Sequence, residues 1–461
     1  MNRRVAARIT LAGLGMASVG SLPAVLAQGA LPSPAPEADA RGVDLTIQDV
    51  MILPVKVPFR PVPERNMARE LPHWQYFEVL RVKLASGHVG YGESMAFYTW
   101  GRTMPDDIAR ARGQNAARLL WDDSLGSGLQ TALLDAVGRA LGVPAHALLG
   151  KQVRDRAALS WWAIDMPPED WAAECQEARK LGYQAFKTKG RPWFDIFDQL
   201  KAVAAVVPTD FKVDMDFNDT LLDASRAIPL LKRLESFAQV GIYETPIPQK
   251  DVPGNQAIRK EVATPIAMHY DTPPAIVAIR EGVCDGFVIG GGAKTVVQQG
   301  TVADMAGMPF WLQLVGTGIT ATFGLHLAAV LRAATWPAVN CHQLYVHPLL
   351  KSPIVVRDGK ADVPTGPGLG VEVDEAALER FQVDFPKQRP EPDRLLEIQY
   401  GDGKTQLIAS DGQVNWVLRR GNDGTIRYWV PHTRARLVPD DGSATHRENL
   451  ARAKQGAFYR N

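Results

Sequence analysis

Residues 44–100 carry a strand pattern. "VDLTIQDVMILPV" alternates in part between apolar and polar positions, and "YFEVLRVKLASGHVGYGES" reads as two strands around a Ser-Gly-His turn. From 104 to 150 the apolar positions fall at helical spacing, and "LQTALLDAVGRALGVPAHALLG" is punctuated by Gly142 and Pro144. Strands followed by helices predict a separate α+β unit. From about 157 to 340 short apolar strands recur: "ALSWWAI", "YQAFKTK", "FKVDMDF", "VGIYE", "TPIAM", "DGFVIG" and "MPFWLQL". Helical stretches such as "PEDWAAECQEARKLG" separate most of them. Seven or eight βα units in one run predict a parallel sheet closed into a barrel. After about 386, "FPKQRPEPDR" reads as a linker. The stretch 395–431, with its Asp-Gly and Asn-Asp-Gly turns, predicts three or four short strands, and a helical tail follows with Ser443 as a cap.

The first thirty residues follow neither pattern. Arg3, Arg4 and Arg8 precede an apolar run that ends in Val25-Leu26-Ala27, the layout of a bacterial export signal, and Arg3-Arg4 also allows the twin-arginine route. Gly13, Gly15, Gly20 and Pro23 make the run a poor membrane span. The expected divisions are an export signal over 1–27, a linker over 28–43, an α+β domain over 44–155, a barrel over 156–385 and a β-rich extension over 386–461. The expected location is periplasmic or secreted. A net charge of +1 over 461 residues argues against nucleic acid as a partner. Cys175, Cys284 and Cys341 fit no metal or redox spacing and read as buried thiols.

Chemistry enters at the strand ends. In "FKVDMDFN" Phe211, Val213, Met215 and Phe217 share one face, and Lys212, Asp214, Asp216 and Asn218 share the other. The outer face of a barrel strand meets helices, so the charged row points into the lumen. The same alternation sends Lys187 and Lys189 inward. Lys189, Asp216 and Glu244 each precede a break in their strand, at the catalytic end of such a barrel. Charges buried there need partners or a metal. Two carboxylates could hold a divalent cation, and a lysine whose pKa is lowered by its cationic neighbours could remove a proton beside a substrate carboxylate.

These segments resemble the enolase superfamily, in its mandelate racemase/muconate lactonizing enzyme family. "GYGES" (90–94), "ALLDAVGRALGVPAHALLG" (132–150), "FKTKG", "DFN", "ETP", "GTGITATFGLHLAAV" (316–330) and "PTGPGLGVEVDEAAL" (364–378) carry the resemblance, which covers about residues 44–380. It implies a modified TIM barrel of (β/α)7β type with an α+β capping domain over the strand ends. It also implies a homo-oligomer and Mg²⁺-assisted removal of the proton alpha to a carboxylate, giving an enediolate. In that scheme Lys189 is the base, Lys187 its electrostatic neighbour, Asp216 and Glu244 the first two metal ligands, and Asn218 and Gln313 supporting or substrate-binding groups.

"PIAMHYD" departs from the family's fifth-strand motif. His269 and Tyr270 stand where a third acidic ligand is expected. Three readings follow. His269 is a ligand, which would suit Mn²⁺, Zn²⁺ or Fe²⁺ better than Mg²⁺. Alternatively Asp271 or water substitutes while His269 meets the substrate, or no metal binds. The far wall also departs, with Gly290-Gly291-Gly292 and Gln313 in place of a second base. One-sided chemistry suits a dehydratase or cycloisomerase acting on a sugar-acid-like carboxylate. The alternative is a non-catalytic carboxylate- or sugar-binding protein on the same scaffold. His326 reads as a packed core histidine, and Trp74, Tyr98 and Trp100 fall in segments that correspond to the cap loops, where substrate contact and core packing are both open.

Overall fold

The computed structural model describes residues 42–98 and 102–460. The export signal 1–27, the linker as far as residue 41, and Trp100 lie outside the described residues. Three antiparallel strands come first: β1 (Ile47–Lys56), β2 (Tyr76–Leu84) and β3 (Val89–Met95), in that spatial order. The buried helix Ser127–Leu141 lies across β2 and β3. Its approach explains "GYG": a Cβ on Gly90 would fall 2.3 Å from the Ala132 carbonyl oxygen, and one on Gly92 2.1 Å from that of Gly128.

The barrel strands are β4 (Arg156–Trp162), β5 (Ala185–Lys189), β6 (Lys212–Asp216), β7 (Val240–Glu244), β8 (Ile266–His269), β9 (Gly286–Ile289), β10 (Phe310–Leu312) and β11 (Ala338–Val339). Neighbours pair in parallel from β4 through β10. Closure comes from β11, which pairs in parallel with β4 while Val339 bridges Gln313 at the end of β10. β11 has two residues, too few for a periodic signal. Val213, Met215 and Phe217 are fully buried under the helices, as the outer face of β6 requires. A hairpin, β12 (Val356–Arg357) and β13 (Lys360–Asp362), adds antiparallel to the start of β4.

The cap is clasped to the barrel by buried carboxylates. Glu93 on β3 accepts hydrogen bonds from Thr317 N at 2.6 Å, Thr317 Oγ1 at 2.6 Å and Thr320 N at 2.9 Å, so it caps the barrel helix Gly318–Val330. Asp135 of the cap helix accepts from Leu369 N at 2.7 Å and Tyr91 N at 2.9 Å. These contacts account for the Glu of "GYGES" and the Asp of "ALLDAVG".

The C-terminal region builds β14 (Leu395–Gln399), β15 (Thr405–Ala409), β16 (Arg434–Val438) and β17 (Phe458–Arg460), ordered β16-β14-β15-β17. Ser443 caps the helix Ala444–Gln455, its side chain accepting from His446 N. The strand expectation over 395–431 is corrected: only β14 and β15 form there, and Trp416–Asn422 is a helix. Trp416 and Val417 are adjacent and both buried, which a half-exposed strand cannot provide. They join Leu396, Ile398, Trp193 and Phe194 in one cluster, so the module shares a core with the loop after β5.

All three cysteines are free and buried. His326 is fully buried, with Nε2 3.0 Å from the Leu369 carbonyl and Nδ1 accepting from His146 N at 3.2 Å. Burial pushes its pKa down to about 4. A histidine held neutral contributes stability that is complete above its unfolded pKa of about 6.5 and is lost as pH falls toward the folded value. His326→Gln is therefore expected to lower Tm at neutral pH and to flatten its decline between about pH 6.5 and about pH 4. Thermal denaturation of both proteins across that window checks this, and parallel curves would refute it.

Candidate active site

Strand register places the charged residues in one layer. Lys189 pairs with Asp216 and Asp216 with Glu244 across β5, β6 and β7. All three side chains project to the lumen at the C-terminal strand ends, with Lys187 one inward step below Lys189. Lys187 Nζ lies 2.5 Å from Glu244 Oε2 and 3.9 Å from Asp216 Oδ2, with each side chain 1% exposed. Lys189 Nζ is 2.5 Å from Asp216 Oδ2, and its side chain is 19% exposed, which makes it the ammonium nearer the mouth. Burial would lower the Lys187 pKa, but Glu244 and Asp216 together raise it. Burial would raise Glu244, but Lys187 and His269 hold it well below the usual carboxylate range. Asp214, below this layer, is pushed up to about 7 by burial.

Asn218 follows β6 with a left-handed backbone (φ 43°). Its N–H donates to Asp216 Oδ1 at 2.9 Å, and its Oδ1 accepts from Lys189 at 3.2 Å and Arg191 at 2.5 Å. His269 closes β8 with Nε2 3.0 Å from Glu244 Oε1. Burial opposes a charged imidazole there, yet Glu244 raises its pKa. Tyr270 turns away from the carboxylates onto Phe287, with ring centroids 5.1 Å apart. Asp271, named above as a possible substitute ligand, does not share an inward face with His269. The strand ends at His269, Asp271 is exposed with φ 66°, and its Oδ1 accepts from Ala275 N. Alternation stops where the strand stops.

Two adjoining cavities occupy the barrel mouth. One, of about 260 Å³, is lined by Tyr98, His269, Tyr270, Gly290, Gly291 and Gln313. The other, of about 340 Å³, is lined by Lys189, Asp216, Asn218, His269 and Gln313, together with Trp74, Trp162 and Cys341. Gly290 is obligatory on the bare wall, since a Cβ there would fall 2.6 Å from the Gln313 carbonyl oxygen. Gln313 lies in both cavities, and Lys189 lines one of them.

The donor atoms can be weighed against a metal. Glu244 is buried, and neither of its oxygens receives a directed hydrogen bond; its contacts with Lys187 and His269 are ionic. Two carboxylates and an imidazole form a mixed oxygen–nitrogen set, which fits a borderline divalent ion better than oxygen-seeking Mg²⁺. Among the described residues, the groups of three whose donor atoms already lie close enough together to hold a metal ion are Asp195 with Asp198 and His432, and Asp440 with Asp441 and His446, so Asp216, Glu244 and His269 would have to draw together around an ion.

Several site residues escaped the sequence reading. Arg191 is 4% exposed and donates to the carbonyls of Gly190 and Asp216 as well as to Asn218. Its position directly after "KTKG" was the one available signal. Glu70 and His73 come from the cap, and Val414, Asn415 and Leu418 come from the C-terminal module. Only the tertiary fold brings those to the mouth.

A family model described as enolase C-terminal domain-like matches residues 170–377. Muconate cycloisomerase 1 of Pseudomonas putida is 25% identical over 353 residues, 69% of this chain and 94% of that protein. D-gluconate dehydratase of Thermoproteus tenax is 26% identical over 376 residues, 69% of this chain and 72% of that protein. The solved muconate lactonizing enzyme of Pseudomonas fluorescens with muconolactone superposes with a TM-score of 0.60 at 25% identity, covering 74% of this chain and 100% of that one.

The ion pairing makes a prediction that does not depend on relatives. Lys187→Met leaves Glu244 buried with its nearest cation removed, and the expected destabilisation is about 3–5 kcal/mol. Lys187→Met/Glu244→Leu removes both charges and should recover most of that loss. Urea unfolding of the two variants measures it; a single variant as stable as wild type would contradict the buried pair.

Proposed function

The chain is an enzyme of the enolase superfamily, in its mandelate racemase/muconate lactonizing enzyme family, and from that premise we propose that it removes the proton alpha to the carboxylate of a small acid. The observation that carries the reading is the register-locked layer of Lys189, Asp216 and Glu244 beside Lys187. Its relatives include sugar-acid dehydratases and muconate cycloisomerases, so the reaction class is lyase or isomerase.

Lys189 Nζ, as the neutral amine, is the group placed to take the proton, because it is the lysine nitrogen nearer the mouth and lines the cavity. Lys187 stays charged and balances negative charge on the substrate side. Asp216, Glu244 and His269 would hold a divalent ion, which when bound supplies Lewis-acid stabilisation of the charge developing on the substrate carboxylate. Gln313 and Asn218 supply polar contacts, and Tyr98 and Trp74 shield the cavity from water.

Bases on one side favour elimination over racemisation. Lys189 takes the alpha proton and returns one to the β-hydroxyl. The C–O bond breaks as the C=C bond forms, and one water leaves. A hydroxylated acid of the sugar-acid kind suits this scheme. The basic, apolar and small-residue order of residues 1–27 supports export as part of the proposal.

Alpha-proton exchange tests the base. In D₂O the wild type should wash the alpha proton of D-gluconate or D-galactonate into solvent, followed by ¹H NMR. Lys189→Met should slow this by about 10²–10⁴-fold. Undiminished exchange in the variant would remove Lys189 from the role. Metal content is a separate readout: one divalent ion per chain is expected after dialysis, and none in His269→Ala. Equal content in both would remove His269 from the ligand set.

A further inference from the structure

We propose that the C-terminal module forms the distal wall of the active-site cavity, and that Glu70, pinned against that wall, is a specificity determinant that admits hydroxyl-bearing monocarboxylates and rejects a second carboxylate. This rests on the alpha-proton reading for the position of the reacting end.

The cavity that holds Lys189, Asp216 and His269 is also lined by Val414, Asn415 and Leu418. These residues lie outside the family-model match, which ends at residue 377. The wall is fixed in place at both edges. On the cap side, Trp416 Nε1 donates to the Arg69 carbonyl at 3.0 Å and Leu418 N donates to Glu70 Oε1 at 3.2 Å. On the barrel side, Asn422 Nδ2 donates to the Asn218 carbonyl at 3.1 Å and His432 N to Asp195 Oδ2 at 2.7 Å. The ring of Trp429 meets that of Phe217, centroids 5.8 Å apart. Asn218 belongs to the charged layer, so the module and the reacting groups share a direct contact.

The chemistry of this end decides what fits. Glu70 is 4% exposed, and burial followed by the Asp165 charge raises its pKa. Of the arginines near it, Arg191 lines the cavity. Arg69 is paired with Asp165 at 2.5 Å, and Arg191 bonds the Gly190 and Asp216 carbonyls and Asn218. Burial and the charges of Arg389 and Arg394 push His73 down to about 3, so its imidazole is neutral. A second carboxylate would lose its water opposite the Glu70 carboxyl, with Arg191, the guanidinium lining the cavity, already bonded to Asn218 and two carbonyls, and that desolvation is costly. A hydroxyl can donate to or accept from the Glu70 carboxyl and the amide of Asn415.

The experiment is calorimetric binding of D-gluconate and of cis,cis-muconate to the wild-type protein, Glu70→Gln and Asn415→Gly. Glutamine keeps an acceptor for Leu418 N, and glycine keeps the left-handed backbone of Asn415 (φ 55°). Circular dichroism verifies both folds. The wild type should prefer D-gluconate. Glu70→Gln should shift the affinity ratio toward muconate by about tenfold, and Asn415→Gly should weaken D-gluconate by about tenfold, each the worth of one buried polar contact. A wild type that prefers muconate, or that binds neither acid, overturns the proposal, as do ratios unchanged in both variants. Alpha-proton exchange separates the two readings. Shifted ratios without exchange uphold the wall and sink the proton-abstraction reading, whereas exchange with unshifted ratios does the reverse.

Discussion

Four charges lie within a few ångströms of one another in the barrel mouth, and Lys187, Asp216 and Glu244 are almost entirely buried. Desolvating any one of them alone would be prohibitive, so each position constrains the others. The pairing works because parallel register sets Lys189, Asp216 and Glu244 side by side, while Lys187 rises from one step below. Register in turn depends on apolar residues such as Val213, Met215 and Phe217 facing the helices, since a one-residue slip would turn the charges outward. The barrel and the charged layer are therefore one arrangement viewed from its two faces.

The same logic extends to the modules around the barrel. Glu93 and Asp135 are buried carboxylates that accept backbone N–H groups from barrel segments, so the cap is held by directed bonds as well as by apolar contact. The C-terminal module is tied in through Trp416, Leu418 and Asn422, and it buries Trp193 and Phe194 of the loop after β5. Both attachments converge on the cavity. A site built by three parts of the chain can change the wall formed by the C-terminal module without touching Lys187 and Lys189.

Replacement of an expected acid by His269 alters the charge of the layer. The two lysines already balance Asp216 and Glu244, and the imidazole adds no negative charge. The mixed donor set and the bare glycine wall at Gly290 both depart from the pattern that the sequence resembles, whereas Lys187, Lys189, Asp216 and Glu244 keep to it.

The barrel, its strand order and the inward row of Lys187, Lys189, Asp216 and Glu244 were legible in the sequence, because a period of two and a break at each strand end are local properties. So was the cap with its paired glycines. β11 was not legible, since two residues carry no period. Nor was the turn that sends Asp271 out to solvent, since alternation cannot report where a strand ends. The helix at Trp416 was misread because its register is decided by what Trp416 and Val417 pack against. Glu70, Arg191, Asn415 and Leu418 lie far apart in sequence, and no spacing rule links them. The sequence alone determined which residues face the lumen; only the tertiary structure decided which distant segments close over it, because that depends on contacts between modules and not on any periodicity within one.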